Sequence, residues 1–381
     1  MPASMSQTGF FALAVQSVEA VWRVDGQAAT SRLLLQEDDG VDSSYFVDIL
    51  PQPNRTIVAF QLVLTSLTGQ TDTYPPTPGV GGRTPFYLYE VDNDPPLTNG
   101  HPSYRVILSK ADVDSLKGRP LQNDVLLNCT FIGDGEVHHM AAIRYRGENS
   151  RGNERKSYRI ELPPEDSFQG IEKLNLNAAY GGTPPTSSVR DFLSADLFRR
   201  AGLPYPVEWP ANLYFTRGVS GDLQGRSNVD PFYVFKENFD RDFLSRFFSG
   251  SDGGNFYRPR DPGGGSGDLS YRGEDESAYV RFYEKKSNSD ADDYSDVIEL
   301  TRAFDRTETP DAVFESEMRR LLDVKEWAAF FAVQDYLTNI DGGIQTMFVR
   351  MRRCGGGKSQ AQRGGAQRAM QHGLLQVNAR A

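Results

Sequence analysis

The sequence predicts an α+β chain, strand-rich in its N-terminal half and helix-rich in its C-terminal half. Three observations carry this. Short apolar/polar alternations recur from Val18 to Glu237, and apolar residues at helical spacing take over from about Asp293 to Leu337. Between the first strands and the rest lies a stretch at 76–100 rich in Pro, Gly, Thr and Asn, which marks a linker. The resulting order is a lead-in at 1–17, a small β-sandwich at 18–75, the linker, a second domain at 101–349 and a tail at 350–381.

Composition narrows the function classes. At 381 residues the chain holds two domains, or one with an appendage. A net charge of −10 argues against a nucleic-acid partner. From Gly342 to Ala381 there is no Asp or Glu but seven Lys or Arg, so the tail is basic. Two cysteines, Cys129 and Cys354, build neither a disulfide framework nor a cysteine zinc site. The longest apolar runs, Gly9 to Val15 and Trp327 to Val333, are too short to span a bilayer. No Lys or Arg precedes Arg23, so the start as given does not read as a secretory signal peptide.

In the first module, VEAVWRV, SRLLLQ, SYFVDIL and TIVAFQLVLTS alternate between Asp/Gly/Pro turns, with Leu33, Phe46, Val58, Phe60 and Leu62 among the expected core residues. The linker holds one short strand, Phe86 to Tyr89. The second domain opens with a strand at Tyr104 to Leu108, then a short helix with a Ser109/Asp112 capping box that Gly118 stops. Strands are expected at 124–133, 137–146 and 171–178, and in PANLYFTR and PFYVFKE. A helix capped by Ser187 presents Val189, Phe192, Leu193 and Leu197 and ends at Gly202. Residues 249–277 read as a long glycine-rich loop. Three helices follow, the last opening on an Asp323/Glu326 capping box, presenting Trp327, Phe330, Phe331 and Leu337, and ending at Gly342-Gly343.

The stretch RYRGENSRGNERKSYRIEL, 144–162, draws the functional reading. Two strand patterns flank a loop bearing Gly147, Asn149 and Gly152, with Arg144, Arg146, Arg151, Arg155, Lys156 and Arg159 around it. Backbone N–H groups freed by glycine beside Lys or Arg suit a phosphate. The alternative is a charged hairpin whose arginines pair with Asp and Glu elsewhere, and charge alone favours that reading. Candidate partners for phosphoryl transfer are Lys156 for the phosphates, Glu237 at the end of PFYVFKE and Asp341 after YLTNI; each is also readable as a surface lysine, an Arg-paired Glu and a helix-terminal Asp. Walker, H-E-x-x-H and G-x-S-x-G motifs are absent, and His101, His138, His139 and His372 have no metal spacing, so His138 and His139 read as structural. Asp290, Asp292, Asp293 and Asp296 lack the Gly and Glu of a calcium loop and read as a capped, solvated helix start.

Nine blocks in order, among them IRYRGENSRGNERKSYRIEL, KLNLNA, SSVRDFLSADLFRRAGLP, FKENFDRDFL, EKKSNSDADDYSDVIELT and DVKEWAAFFAVQDYLTNIDGG, resemble the CotH family of atypical protein kinases from about His101 to Gly343. The run from LLLQEDDG to TYPP resembles the fibronectin-III-like modules that precede catalytic domains in secreted bacterial proteins. The CotH resemblance implies a divergent protein-kinase-like domain that binds ATP and Mg²⁺ and phosphorylates Ser or Thr of secreted or coat proteins. Its location would be extracellular or in the cell envelope. It implies Asp341 as catalytic, and Lys156, Glu237, Arg146, Gly147 and Asn149 as nucleotide-binding; Arg190 and Asn177 match family blocks without an assigned role.

The family continues past the catalytic block into strands with an Asp-bearing metal motif. This sequence instead runs MFVRMRRCGGGKSQAQRGGAQRAMQHGLLQVNARA. It therefore predicts no metal ligand in that part and no phosphotransfer unless another group supplies that ligand, and the tail reads as a changed frame rather than a folded element. A non-catalytic surface or coat scaffold is the alternative.

Overall fold

The computed structural model describes residues 15–28, 30–34, 36–37, 45–75, 86–93, 100–147, 149–178, 187–215, 232–247, 254–260, 262, 267–290, 293–338, 348–354 and 374–380. They are α+β and divide into two compact units, 1–186 with 209–236 and 187–208 with 237–381.

The first unit begins with strands β1 (Val15–Val24), β2 (Ser31–Leu34), β3 (Gln36–Glu37), β4 (Tyr45–Phe46), β5 (Ile57–Ser66), β6 (Thr71–Tyr74) and β7 (Tyr87–Glu90). They form an antiparallel sheet in the order β2-β1-β5-β6, with β7 also on β5, while β3 and β4 pair as a separate ribbon. Alternation fixes the register: Ala20 and Trp22 stand opposite Leu62 and Phe60, and all four are buried on one face. The other face is apolar too. Ile57, Ala59 and Leu88 pack with Ile107 and the half-buried Phe86 and Ile132, so IVAF at 57–60 is buried on both sides of the strand. Polar ties join the same stretches. Asp25 accepts the Lys110 backbone N–H at 2.6 Å, and Arg105 pairs with Glu90 and Asp92.

Beyond this sheet come β8 (Ser103–Ile107), α1 (Lys110–Gly118), β9 (Leu127–Gly133), β10 (Glu136–Arg146), β11 (Ser157–Glu161), β12 (Lys173–Ala178), β13 (Glu208–Phe215) and β14 (Phe232–Glu237). The strands close into a seven-stranded barrel, β10-β11-β12-β14-β13-β8-β9. Neighbours are antiparallel along β8-β9-β10-β11-β12, whereas β8 and β13 run parallel, Ser103 to Val106 facing Asn212 to Phe215. The interior is aromatic: Tyr104 meets Phe131, Phe168 and Phe235 edge to face, and its hydroxyl accepts the Trp209 indole N–H at 3.1 Å. At the head of α1 the Ser109 hydroxyl accepts the Asp112 N–H at 3.0 Å and donates to the Asp112 carboxylate at 2.7 Å, the expected capping box. His138 and His139 take structural places. His138 is buried against Phe131 and Phe168 with Nδ1 2.8 Å from the Asp166 carboxylate; His139 lies against Phe60 and Tyr87, where burial holds it below the usual histidine range.

The second unit contains α2 (Ser187–Arg200), α3 (Arg241–Phe247), β15 (Phe256–Pro259), α4 (Ser277–Val280), β16 (Tyr283–Lys285), α5 (Ser295–Phe304), α6 (Asp311–Leu321), α7 (Val324–Tyr336), β17 (Phe348–Cys354) and β18 (Leu374–Arg380). Its core gathers Phe198, Tyr257, Tyr279, Tyr283, Leu300, Trp327 and Phe330. Asp323 caps α7 by accepting the Lys325 and Glu326 N–H groups. Gly202, at φ +76°, ends α2 with the Leu203 N–H on the Phe198 carbonyl.

Several details differ from the sequence reading. Leu193 is exposed and Phe198 is the buried anchor of α2, while on α7 Phe331 is largely exposed, Leu337 forms the C-cap, and Gly342-Gly343 lies outside the described residues. The expected loop at 249–277 contains β15, a strand too short for alternation to register. The tail, expected to lack folded elements, carries β17 and β18, which extend the sheet as β16-β15-β17-β18 with β17 and β18 parallel. Both tail segments hold a period-2 pattern, as in Val349, Met351 and Leu375, Val377, beneath their basic composition.

Gly267 marks a close approach in this unit. Its N–H meets the Arg260 carbonyl at 2.8 Å, and a Cβ there would stand 2.7 Å from the Phe282 carbonyl oxygen and 2.7 Å from Pro259 Cβ. Gly267→Ala is therefore expected to destabilise the chain by about 1–3 kcal/mol. Gly118→Ala, where nothing lies within 4 Å, should be neutral or stabilising. Urea unfolding of both variants checks this; equal stabilities would contradict it.

Candidate functional site

The basic hairpin sits at one end of the barrel, where β10 and β11 pair as far as Arg146 opposite Ser157. The connection leaves β10 through Gly147 at φ +102°, a left-handed conformation that a side chain would strain, and makes a 3₁₀ turn at Asn149–Gly152. Arg151 points inward from this turn and is buried. Its Nε donates to the Gly147 carbonyl, one terminal nitrogen to the Leu121 carbonyl at 2.9 Å, and the other to the Asp124 carboxylate at 2.6 Å. Lys156 closes the loop: its ammonium donates to the Arg151 and Asn153 carbonyls at 2.8 and 2.7 Å.

The remaining cations have distinct anchors. Arg146 donates to the Asn177 side-chain carbonyl, so two residues that the sequence singled out separately meet across the ends of β10 and β12. Beside them the Ser157 hydroxyl accepts the Ala178 N–H at 3.1 Å. Arg155 donates to the Phe232 carbonyl and lies over the Tyr233 ring, 4.6 Å from its centroid. Arg144 shares Asp124 with Arg151, and Arg159 pairs with Glu161 and donates to Asn175. The paired-surface reading thus holds for Arg144, Arg151 and Arg159, whereas both acceptors of Lys156 are neutral carbonyls. Arg151 stood out from the sequence only as one of six basic residues around the loop, and Asp124 not at all. No motif marks them, because the burial of a loop arginine depends on a segment some thirty residues away.

Glu237 ends β14 and belongs to the second unit. It is buried, accepts the Val207 N–H at 3.1 Å, and pairs with Arg246. Burial pushes its carboxyl up to about 7, against the opposing pull of the Arg246 charge and the Val207 N–H. Asp341 and the side chains of Asn149 and Arg190 lie outside the described residues.

The acidic cluster before α5 is only in part the solvated helix start that was expected. Asp293 accepts the Ser295 N–H and hydroxyl at an exposed site. Asp296 is half-buried and accepts the Tyr257 hydroxyl and the Asn255 amide, each at 2.7 Å, and burial holds its carboxyl above the usual range. Asp292 lies outside the described residues. Among the described residues, no group of three or more His, Cys, Asp or Glu is placed to hold a metal ion.

Comparison with known proteins places these features. A sequence model described as CotH kinase protein matches residues 143–356, a span that includes the hairpin, Glu237 and Asp341. The chain is 28% identical over 204 residues to the inner spore coat protein H of Bacillus subtilis (strain 168), an alignment covering 53% of this chain and 51% of that protein. The chain thus spans about half the length of this curated relative.

The elevated Glu237 carboxyl makes a pH prediction. Between about 4.5 and 7 the folded chain retains a proton that the unfolded chain has lost. Its contribution therefore favours folding below that window and fades as pH rises through it. Glu237→Gln should flatten the decline by about 2–3 kcal/mol. Denaturant titrations of both proteins at pH 4.5 and 8 check it; parallel declines would contradict the assignment.

Proposed function

Because this chain belongs to the CotH kinase protein family, we propose that it binds ATP through the 144–162 hairpin and directs the terminal phosphoryl group to Ser or Thr hydroxyls of coat or secreted proteins. The observation that carries this reading is the state of Lys156. Its ammonium is held by two backbone carbonyls of the loop that Gly147 opens in the left-handed region. Exchanging neutral acceptors for phosphate oxygens gains charge-assisted hydrogen bonds, so the resting contacts hold the ammonium in place without neutralising it.

The donor set fits a nucleotide phosphate. Gly147 shapes the turn, Gly152 has nothing within 4 Å of where a Cβ would stand, and Lys156 supplies the charge. Arg146, steadied by Asn177, is a second cation at the same end of the barrel. ATP supplies the phosphoryl group. Lys156 and Arg146 offset the charge on the phosphate oxygens, and the loop N–H groups orient them. The family pattern supports Asp341 as the group that orients the acceptor hydroxyl and Glu237 as a nucleotide-binding residue. The family also implies Mg²⁺, but the described residues include no metal-holding cluster, so the role drawn for the hairpin is confined to the phosphates.

A divergent kinase-like fold for 101–349, and a fibronectin-III-like module at 18–75, belong to the same reading. The family match supports the first and the strand pattern the second. Coat proteins are the partners that the name of the Bacillus relative supports. No helix among the described residues is long and apolar enough to cross a membrane.

Thermal shift with Mg·ATP tests the binding step and transfer of labelled phosphate to protein tests the chemistry. Wild type should be stabilised by about 2–3 kcal/mol at a hundredfold excess of ATP over Kd, and Lys156→Ala should respond far less. Identical flat responses would overturn the nucleotide reading. Binding without transfer would favour a non-catalytic coat scaffold.

A further inference from the structure

Arg151 is 5% exposed in a loop whose next three residues, Gly152 to Glu154, face solvent. Its guanidinium ties together stretches far apart in sequence: the Gly147 carbonyl at the loop entry, and the Leu121 carbonyl and Asp124 carboxylate in the segment after α1. That segment is itself fixed. The Asn123 N–H meets the Pro120 carbonyl at 2.9 Å, the Val125 N–H meets the Asn123 side chain at 2.9 Å, and Arg119 donates to the Val125 carbonyl. The backbone carbonyl of Arg151 in turn accepts the Lys156 ammonium at 2.8 Å. One residue therefore holds the loop by its side chain and Lys156 by its main chain.

We infer that Arg151, seated on Asp124, is a positioning residue: it sets the conformation of the 147–156 loop and, through that backbone, the place of the Lys156 ammonium. The assignment rests on the reading of this loop as the nucleotide site. The physical reason is geometric. A guanidinium is a planar fork that serves three acceptors in fixed directions, whereas an ammonium on a flexible stem does not reproduce the fork. A loop ordered before the nucleotide arrives need not be ordered by it, so affinity rises without any contact between Arg151 and the ligand. Asp124 remains a full counter-charge. Burial pushes its carboxyl up, but the Arg151 hydrogen bond and the charges of Arg144, Arg151 and Arg159 outweigh this and hold it below the usual carboxylate range.

The test uses the full chain with Arg151→Lys, Asp124→Asn and Asp124→Glu. It compares melting temperature without nucleotide, amide hydrogen exchange across 147–156, and ATP affinity by calorimetry. Asp124 is a solvent-exposed carboxylate, 63% accessible, so Asp124→Asn gives a folded variant even if Arg151→Lys does not. Arg151→Lys and Asp124→Asn should speed exchange within the loop and weaken ATP binding about tenfold with little change in melting temperature. Asp124→Glu should return both readouts toward wild type. If wild type binds ATP and these variants bind it equally well, the assignment falls and the nucleotide reading stands. Weakening that merely tracks a lower melting temperature, with loop exchange unaltered, also overturns it by showing a structural role alone. Absence of ATP binding by wild type overturns both.

Discussion

The first unit depends on one seam, the parallel pairing of β8 with β13 that closes the barrel. Antiparallel neighbours can be joined by a short turn, but a parallel pair demands a long excursion between its strands, and the chain makes β9 to β12 before it returns. Closure leaves the barrel strands no free edge and forces their ends into a ring. Arg146, Ser157 and Asn177 are neighbours because β10, β11 and β12 end together on that ring. Tyr104, on the seam strand β8, is packed into that interior: burial, then the nearby Asp134 charge, pushes its hydroxyl up to about 12.

On this rigid base the hairpin divides labour between two kinds of cation. Arginine is always charged, weakly hydrated and planar, and suits a buried strut; Arg151 and Arg155 both bind main-chain carbonyls that no lysine would organise as well. Lys156, the one lysine of the 144–162 stretch, carries a compact point charge on a long stem, held by two carbonyls. The arginines spend their geometry on the protein, and the lysine is left with its charge.

Local signals were legible in the sequence. The alternation of β9 to β12, the Ser109 and Asp323 caps and the Gly202 terminator are written in a few adjacent residues, and the structure places them accordingly. What the sequence did not show is non-local. The β8/β13 register has no signature in either strand, β15 has four residues and too few alternations, and Leu193 and Phe198 differ in burial because of what packs on α2. The same holds for the site. Lys156 and Gly147 stand out within one short stretch, whereas Arg151 acquires its contacts from Leu121 and Asp124. Asp296 looked solvated within an acidic run, and only the approach of Tyr257 and Asn255 shows otherwise.

An acidic chain that is to attract an anion needs a local field opposed to its net charge of −10. Four of the hairpin's cations are matched only in part by carboxylates. Arg144 and Arg151 share the single Asp124 carboxylate, Arg155 is satisfied by a carbonyl and an aromatic face, and Lys156 by two carbonyls. Neutral acceptors meet the hydrogen-bonding needs of these groups without cancelling their charge. Had each been matched by its own carboxylate, the hairpin would be as well ordered and electrostatically silent. Order and uncancelled charge coexist in these four residues because their anchoring is done mostly by peptide carbonyls.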